Sequence, residues 1–288
     1  MKDRVVLVTG ATSGIGKATA LELAKLGYTV VIHGRNREKA QQVCDEIKIL
    51  TGNDRIEPMV ADLFLLGEVK TMTEAFITKY NRLDVLINNA GGIMGTERET
   101  TPDGFEKTMA VNLLAPFLLT KLLLGLLKQS DDGRIINVSS NSHQLNAKPD
   151  FDDLQLEKGY TPLRAYGNAK LFLIWVSQHL AVQLKEQGIY HVTVNTLHPG
   201  AVKTNFGMDS NLGSLLNFIG KLVRPLLKTA KQGADTMVYL ATSNDLGGTS
   251  GKYFVGRKET PAAGKYHTPE REQMIFNYCE ELTDAIGR

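Results

Sequence analysis

The chain has 288 residues, and at roughly 100–200 residues per domain this length predicts one large domain or two small ones. Hydrophobic residues make up 42% of the chain and charged residues 22%, close to the average for soluble globular proteins, which argues against a disordered or collagen-like chain. The 33 Lys and Arg residues nearly balance the 31 Asp and Glu residues and leave a formal net charge of +2, so we expect no nucleic-acid partner.

Cysteine usage and apolar runs indicate a soluble protein. Cys44 and Cys279 are too few for a disulfide framework and lack the spacing of metal ligands, which excludes structural zinc. The first apolar run, 5–9, leads straight into a glycine and predicts a strand rather than a signal peptide. The most apolar long stretch, 113–127, contains Pro116 and falls short of the ~18 unbroken apolar residues of a membrane span. We therefore expect a cytoplasmic protein with no metal site and no membrane span.

Short apolar runs alternate with helix-length segments up to about residue 200. The predicted strands are 5–8, 29–32, 56–60, 85–87, 135–138 and 192–197. The predicted helices between them are 14–26, 37–50, 68–80, 103–127 and 164–186. Continuous apolar strands are typical of a parallel sheet covered on both faces. The pattern predicts one α/β domain over 1–288, a doubly wound parallel sheet of the Rossmann type with helices on both faces.

Some segments depart from this alternation or mark its boundaries. Thr101 followed by proline predicts the start of the helix 103–127. Residues 141–160 form a long polar connection, and loops of this length are usually functional or mobile. The leucine-rich segment 205–229 predicts a helical substrate lid, with a subunit contact in a homo-oligomer or a membrane-touching surface as open alternatives. The tail 256–288 has few apolar residues before 274–278, and we expect it to lie over the surface.

A glycine-rich turn follows the first predicted strand, in the sequence Thr9-Gly10-Ala11-Thr12-Ser13-Gly14-Ile15-Gly16. Such a turn lets backbone N–H groups approach a pyrophosphate, which the positive end of the following helix also favours. The spacing G-x-x-x-G-x-G departs from the common G-x-G-x-x-G pattern. A tight turn without a ligand is therefore the alternative, although its place at the first strand of an α/β pattern favours phosphate binding.

The end of the second predicted strand indicates which dinucleotide would bind. This strand carries no acidic residue that would hold a ribose 2′-hydroxyl, and Arg35 stands just beyond it. A cation there suits a 2′-phosphate, so NADP(H) is favoured over NAD(H), with a merely solvated arginine as the alternative. Lys17, just past the glycines, is a candidate for a second positive charge.

Tyr166 and Lys170 stand four residues apart on one face of a predicted helix. A free tyrosine titrates near ~10, so its use as a base near neutrality requires a pKa lowered by roughly three units, about 4 kcal/mol. A neighbouring ammonium group is an adequate source of much of that change. Taken alone, the pair is common by chance and is most simply a surface pair, so its interpretation depends on other motifs.

Further polar motifs stand at predicted strand ends, where ligands bind in open parallel sheets, and one further residue, Asn112, stands inside the predicted helix 103–127. They are Asn88-Asn89-Ala90-Gly91, Asn112, Ser139-Ser140, and Pro199-Gly200-Ala201-Val202-Lys203-Thr204. With the glycine turn and the Tyr–Lys pair, these motifs resemble the short-chain dehydrogenase/reductase family over about residues 4–255. The motifs N-V-S-S, D-L-Q-x-E-K, A-Y-x-x-x-K, H-P-G-x-V and Q-G-A are similar to those of its retinol dehydrogenase-like branch.

This resemblance implies catalytic roles for four residues. Tyr166 would donate a proton to a carbonyl or accept one from an alcohol. Lys170 would lower the tyrosine pKa and hold the nicotinamide ribose. Ser140 would hydrogen-bond the substrate oxygen, although the sequence leaves Ser139 open, and Asn112 would keep a water for proton relay. The insert 141–160 makes the spacing from Ser140 to Tyr166 longer than is common in the family, a feature that the retinol dehydrogenase-like branch shares.

The resemblance also implies a set of cofactor-binding residues. The set comprises Gly10, Ser13, Gly14, Ile15, Gly16, Arg35, Asp62, Leu63, Asn89, Ala90, Gly91, Tyr166, Lys170, Pro199, Gly200, Val202 and Thr204. Within it the glycine turn would hold the phosphates, Asp62 and Leu63 the adenine, and Val202 and Thr204 the carboxamide. We expect His198 and Trp175 to be structural, whereas His143 is a candidate substrate contact.

Two functions are consistent with these patterns. The first is an NADP(H)-dependent oxidoreductase that interconverts a hydrophobic alcohol and its aldehyde or ketone, as a retinol dehydrogenase-like enzyme or a carbonyl reductase. The second is a non-catalytic NADP(H)-binding sensor with the same fold, because a fold does not guarantee a function. The complete Ser–Tyr–Lys set favours the enzyme, and the leucines of 205–229 favour an apolar small-molecule substrate.

Overall fold

A parallel sheet forms the centre of the fold. Over residues 4–202 and 227–286, which this computed structural model describes, eight strands are arranged in the order β3-β2-β1-β4-β5-β6-β7-β8. They are β1 Val5–Val8, β2 Thr29–Gly34, β3 Ile56–Val60, β4 Val85–Asn88, β5 Gly133–Val138, β6 Val192–His198, β7 Tyr253–Val255 and β8 Lys258–Glu259. Strands β1 to β7 pair in parallel, and β8 is antiparallel to β7. The predicted α/β fold class is therefore confirmed.

The described helices connect and cover these strands. They are α1 Gly14–Lys25, α2 Arg37–Thr51, α3 Leu66–Lys79, α4 Lys107–Leu127, α5 Ser142–Leu145, α6 Pro162–Glu186, α7 Ala230–Thr242 and α8 Pro269–Asp284. The predicted lid 205–229 lies outside the described residues except for its last three positions. Strands β1 to β6 and the cores of α1 to α4 and α6 agree with the predicted elements, whereas β7, β8, α5, α7 and α8 were not predicted.

Alternate residues of β1 belong to two separate hydrophobic clusters. Val5 and Leu7 face the cluster that α3, α4, α6 and α8 cover. Val6 and Val8 face the cluster that α1, α2 and α7 cover. Side chains alternate between the two faces of a strand, so a strand buried on both faces is apolar throughout. This double burial explains the continuous apolar runs of the sequence.

The start of α4 differs from the prediction. The helix begins at Lys107, and the Glu106 carboxylate accepts hydrogen bonds from the backbone N–H groups of Thr108 and Met109, both at 2.7 Å. Thr101 instead accepts from the backbone N–H of Phe105 in the preceding turn. A carboxylate at a helix N-terminus satisfies two free donors and suits the positive end of the helix dipole. The predicted cap at Thr101 is therefore wrong.

Helix α4 is also the one helix among the described residues that is long and apolar enough to cross a membrane. Its mean hydropathy is 1.9, and 72% of the segment is buried within the fold. Leu113, Leu114 and Leu119 have no exposed surface. Burial in the core between the sheet and neighbouring helices accounts for this apolar composition.

The polar insert 141–160 is packed rather than loose. Its first residues form α5, which lies against α6. Leu154 and Leu156 are buried, and the Asn168 side chain on α6 accepts a hydrogen bond from the Lys148 backbone N–H at 2.8 Å. The insert is thus anchored to the helix that carries Tyr166.

The C-terminal segment contributes to the core, contrary to the prediction of a surface-lying tail. Helix α8 buries Ile275, Phe276 and Cys279, which belong to the cluster on the α4 and α6 face. The Phe276 ring meets the Phe117 ring edge to face, with centroids 5.2 Å apart. Because these three residues lie close together on one face of the helix, a few apolar side chains suffice to dock it.

Replacing Phe276 by alanine tests this docking. The ring is 4% exposed, so its removal leaves a cavity, and we expect the free energy of unfolding to fall by about 3–5 kcal/mol. Met274 on the same helix is 39% exposed, and Met274→Ala should change it by less than about 0.5 kcal/mol. Urea titration followed by circular dichroism measures both, and equal effects would contradict the packing described here.

Candidate active site

A cleft of about 1240 Å³ runs along the carboxyl ends of the parallel strands. The predicted site residues that line it are Gly10, Ser13, Gly14, Ile15, Gly16, Arg35, Asp62, Leu63, Asn89, Ala90, Gly91, Ser140, Tyr166, Lys170, Pro199, Gly200 and Val202. Asn112 lies just behind the cleft wall, and Thr204 lies outside the described residues. The structure thus brings residues from six strand ends into one site.

The glycine turn after β1 forms one end of the cleft. Gly10 has a φ of +63°, and a Cβ atom there would lie only 2.9 Å from the Cα of Ala90. Helix α1 begins at Gly14, and Ser13 precedes it in extended conformation without a side-chain capping bond. The first N–H groups of a helix lack partners within the helix. This cradle therefore fits a phosphate group.

Thr9 joins the glycine turn to the end of β4. Its hydroxyl oxygen accepts hydrogen bonds from the backbone N–H groups of Asn89 and Ala90, at 3.0 and 2.9 Å. The Asn89 side chain in turn donates to the Thr9 carbonyl at 2.8 Å. Asn89 therefore holds the turn in place with its side chain. Thr9 was not among the predicted site residues, although a hydroxyl at the end of a buried strand was the available signal.

His33 at the end of β2 is a second residue that the sequence analysis missed. Its Nδ1 accepts a hydrogen bond from the Gly10 backbone N–H at 3.2 Å, so its Nε2–H donates to the Ala61 carbonyl at 3.1 Å. Burial lowers the pKa of His33 to about 4. The ring is therefore neutral near pH 7 and links the glycine turn to the ends of β2 and β3.

Two cations line the cleft beyond β2. Arg35 is exposed there, as predicted, and Lys39 on the first turn of α2 lines the same region. Lys17 does not, because its ammonium group forms an ion pair with Glu46 at 2.6 Å. The expectation that Lys17 adds the second charge is therefore wrong, and Lys39 has that position. With the positive N-terminus of α2, this corner favours an anion.

Ser140, Tyr166 and Lys170 meet at the other end of the cleft. The Ser140 and Tyr166 side chains are hydrogen-bonded to each other. The Lys170 ammonium donates to the Val138 carbonyl at 2.8 Å and lies 5.6 Å from the Tyr166 ring centre. The Ser139 hydroxyl instead donates to the Lys170 carbonyl at 2.9 Å. Between the two serines, geometry therefore favours Ser140, and the insert 141–160 does not separate it from Tyr166.

The pKa values of the Tyr–Lys pair differ from the expectation. Burial raises the pKa of Tyr166 above its usual value, and only the hydrogen bond with Ser140 opposes that rise. Burial lowers the pKa of Lys170 to about 7. The lysine does not lower the tyrosine pKa here, because removal from water disfavours both charged forms. Tyr166 is consequently a neutral phenol at pH 7, the form that can donate a proton.

Asn112 positions the loop after β4. It lies in a π turn, Ala110–Leu114, within α4, and such turns are frequent at functional sites. Its Nδ2 donates to the carbonyls of Gly92 and Thr108, both at 2.8 Å, and its Oδ1 accepts from the Gly92 N–H at 3.2 Å. The water-holding role implied by the resemblance stays a prediction, since one lone pair of Oδ1 remains for it.

The remaining candidate side chains are structural. His143 is 1% exposed, and both of its ring nitrogens bond to main-chain atoms, of Ser140 and Ala263. The expected substrate contact for His143 is therefore wrong. His198 accepts from the Gly200 N–H at 3.0 Å, and Trp175 is buried in the core, in agreement with the predictions for both.

Comparison with known proteins agrees with this site. A model of the short chain dehydrogenase family matches residues 4–214. Polyprenol dehydrogenase from Homo sapiens is 38% identical over 293 residues, which cover 99% of this chain and 86% of the relative. Retinol dehydrogenase 12 from Homo sapiens is 40% identical over 282 residues, covering 98% and 87%. A solved short chain dehydrogenase from Escherichia coli, complexed with NADPH, has a TM-score of 0.68 at 28% identity, covering 90% of this chain and 98% of that chain.

The lowered pKa of Lys170 predicts that folding stability rises with pH. In the unfolded chain a lysine loses its proton near ~10.4, whereas in the folded protein Lys170 loses it near 7. Between these values the unfolded state binds more protons, so higher pH favours the folded state. From about pH 6 to about pH 9, wild type should gain about 2–3 kcal/mol over Lys170→Met in the free energy of unfolding. Urea titrations without added dinucleotide measure this, and a constant difference would contradict it.

Proposed function

This chain belongs to the short-chain dehydrogenase family, and from that premise we propose that it interconverts an apolar alcohol and its aldehyde or ketone with NADP(H). The family makes it an oxidoreductase that acts on CH–OH groups with a nicotinamide dinucleotide. Its sequence resembles the retinol dehydrogenase-like branch. The observation that carries the proposal is the meeting of Ser140, Tyr166 and Lys170 in a cleft that also holds the glycine turn.

Each of these residues has a distinct part in the reaction. The bound nicotinamide supplies or accepts hydride. Tyr166 acts as general acid on the substrate oxygen in carbonyl reduction, since burial keeps its phenol protonated. Ser140 holds and polarises the same oxygen, because its hydroxyl lies next to the Tyr166 phenol. Lys170 would hold the nicotinamide ribose and, when charged, favours the phenolate in the reverse direction.

Selectivity for NADP(H) rests on Arg35 and Lys39. Both line the cleft beside the end of β2, next to the N-terminus of α2. A 2′-phosphate carries up to two negative charges, which two cations and a helix N-terminus stabilise. The NADPH complex of the Escherichia coli neighbour supports this choice.

An apolar substrate is favoured by apolar side chains of the cleft. Ile93, Met94, Val111 and Leu227 are among the residues that line it, and pockets take their preference from such residues. Two relatives are named for polyprenol and retinol, which are isoprenoid alcohols. We therefore propose an isoprenoid or similarly apolar alcohol and its carbonyl counterpart as the substrate class.

Tyr166→Phe tests the chemistry. The variant removes the proton donor while leaving the ring in place, so turnover of apolar aldehydes should fall by at least about 100-fold. Affinity for NADPH, measured by fluorescence titration, should change little. Tyr190→Phe, at a position 65% exposed, should keep wild-type turnover. Full activity in Tyr166→Phe would contradict this mechanism. A wild-type protein that binds NADPH but turns over no alcohol or carbonyl compound would instead be a non-catalytic sensor.

Arg35→Ala tests the cofactor preference. Loss of a charged hydrogen bond worth about 1.5–3 kcal/mol should raise the KM for NADPH by about 10- to 150-fold, with the KM for NADH nearly unchanged. Arg37→Ala is the matched control, because Arg37 is exposed on the same helix end but is not among the described residues that line the cleft. Steady-state kinetics with both cofactors measure the effect, and a wild-type preference for NADH would contradict the role of Arg35.

A further inference from the structure

Both ring nitrogens of His143 have main-chain partners, and together they define its tautomer. The backbone N–H of Ala263 donates to Nε2 at 3.2 Å, so Nε2 carries no proton. In a neutral imidazole the other nitrogen then carries it. Nδ1–H therefore donates to the Ser140 carbonyl, at a short distance of 2.6 Å.

The neutral form of His143 is consistent with its surroundings. The ring is 1% exposed and meets the Tyr253 ring edge to face, with centroids 5.0 Å apart. Burial lowers the pKa of His143. A neutral ring with one donor and one acceptor matches the two groups that it contacts.

Two hydrogen bonds hold Ser140, one at its backbone carbonyl and one at its side chain. Its carbonyl accepts from His143, and its hydroxyl oxygen accepts from the Ser142 backbone N–H at 3.2 Å. With one lone pair occupied in this way, the hydroxyl can direct its proton elsewhere, and its side-chain partner is Tyr166. A shift of the Ser140 carbonyl would therefore rotate the hydroxyl away from that partner.

We propose that His143 is a positioning residue for Ser140, and that the C-terminal segment, through Ala263, fixes the tautomer with which His143 acts. This inference rests on the proposed function, in which Ser140 holds the substrate oxygen. It extends the site to a residue 120 positions further along the chain, well outside the cleft lining that the structure describes. The C-terminal segment thereby supports catalysis as well as packing.

Two conservative substitutions of His143 each remove one of its two hydrogen bonds, to Ser140 or to Ala263, and keep the other. In His143→Asn the side-chain amide nitrogen lies near the place of Nδ1, so the bond to Ser140 is kept and the bond to Ala263 is lost. In His143→Gln the amide oxygen lies near the place of Nε2, so the bond to Ala263 is kept and the bond to Ser140 is lost. Each variant loses one buried hydrogen bond, and a purely structural role predicts similar effects on activity.

The proposal predicts unequal effects on turnover. A misplacement of about 1 Å at a reacting group can reduce the rate about 100-fold. In His143→Gln, kcat for an apolar aldehyde should therefore fall about 10- to 100-fold. In His143→Asn kcat should stay within about threefold of wild type. The KM for NADPH should be unchanged in both. Equal losses of kcat in the two variants, or a larger loss in His143→Asn, would overturn the proposal.

A second comparison applies if His143→Gln does not fold. His143→Ala and His143→Asn both lack the bond to Ala263 and differ in the bond to Ser140, so kcat should be at least about tenfold higher in His143→Asn. Equal kcat values would overturn the proposal.

A direct readout needs no substrate. Long-range ¹H–¹⁵N correlation spectra of wild-type protein labelled at histidine should show His143 protonated at Nδ1, and Ala263→Pro, which lacks the N–H, should alter that signal where Ala263→Gly does not. Protonation at Nε2 would overturn the proposal even if the wild type turned over none of the substrates, the result that contradicts the proposed function.

Discussion

The close approach of the β1–α1 turn to the end of β4 is the contact on which the cleft depends. Gly10 makes it possible, because a side chain there would collide with Ala90. Thr9 stabilises it, because its hydroxyl oxygen accepts hydrogen bonds from the backbone N–H groups of Asn89 and Ala90, and each such bond contributes to stability. The glycine turn and the loop after β4 thus form one wall, and His33 attaches the ends of β2 and β3 to the same wall.

The parts of the fold that depend on local pattern were predictable from the sequence. Strands β1 and β4 are apolar because they are buried on both faces, and the Tyr166–Lys170 pair follows from helical spacing. Features that depend on tertiary contacts were not predictable. Lys17 and Lys39 both follow strand ends, and only the pairing of Lys17 with Glu46 shows which of them faces the cleft. Helix α8 was missed for the same reason, since the residues that it packs against are distant in sequence. The Glu106 cap is local, and it was missed because Thr101 followed by proline is a competing signal for a helix start.

The electrostatics of the Tyr–Lys pair show why residue type alone predicted a lowered pKa for Tyr166, whereas burial raises it. An ammonium and a phenolate attract each other, but burial disfavours both charged forms, so it raises the pKa of Tyr166 and lowers that of Lys170. A lysine with a pKa near 7 changes its charge in response to its neighbours. An anionic group bound in the same cleft favours the protonated lysine. Only the protonated lysine stabilises the Tyr166 phenolate that alcohol oxidation requires.

Helix α8 has a consequence for biosynthesis. Its buried side chains complete a core that otherwise consists of residues from the first two thirds of the chain. While α8 is still within the ribosome, the emerging sheet has an uncovered apolar flank beside α4 and α6. The nascent polypeptide therefore cannot reach its final packing before α8 has emerged, and until then this flank is the surface that a chaperone would shield.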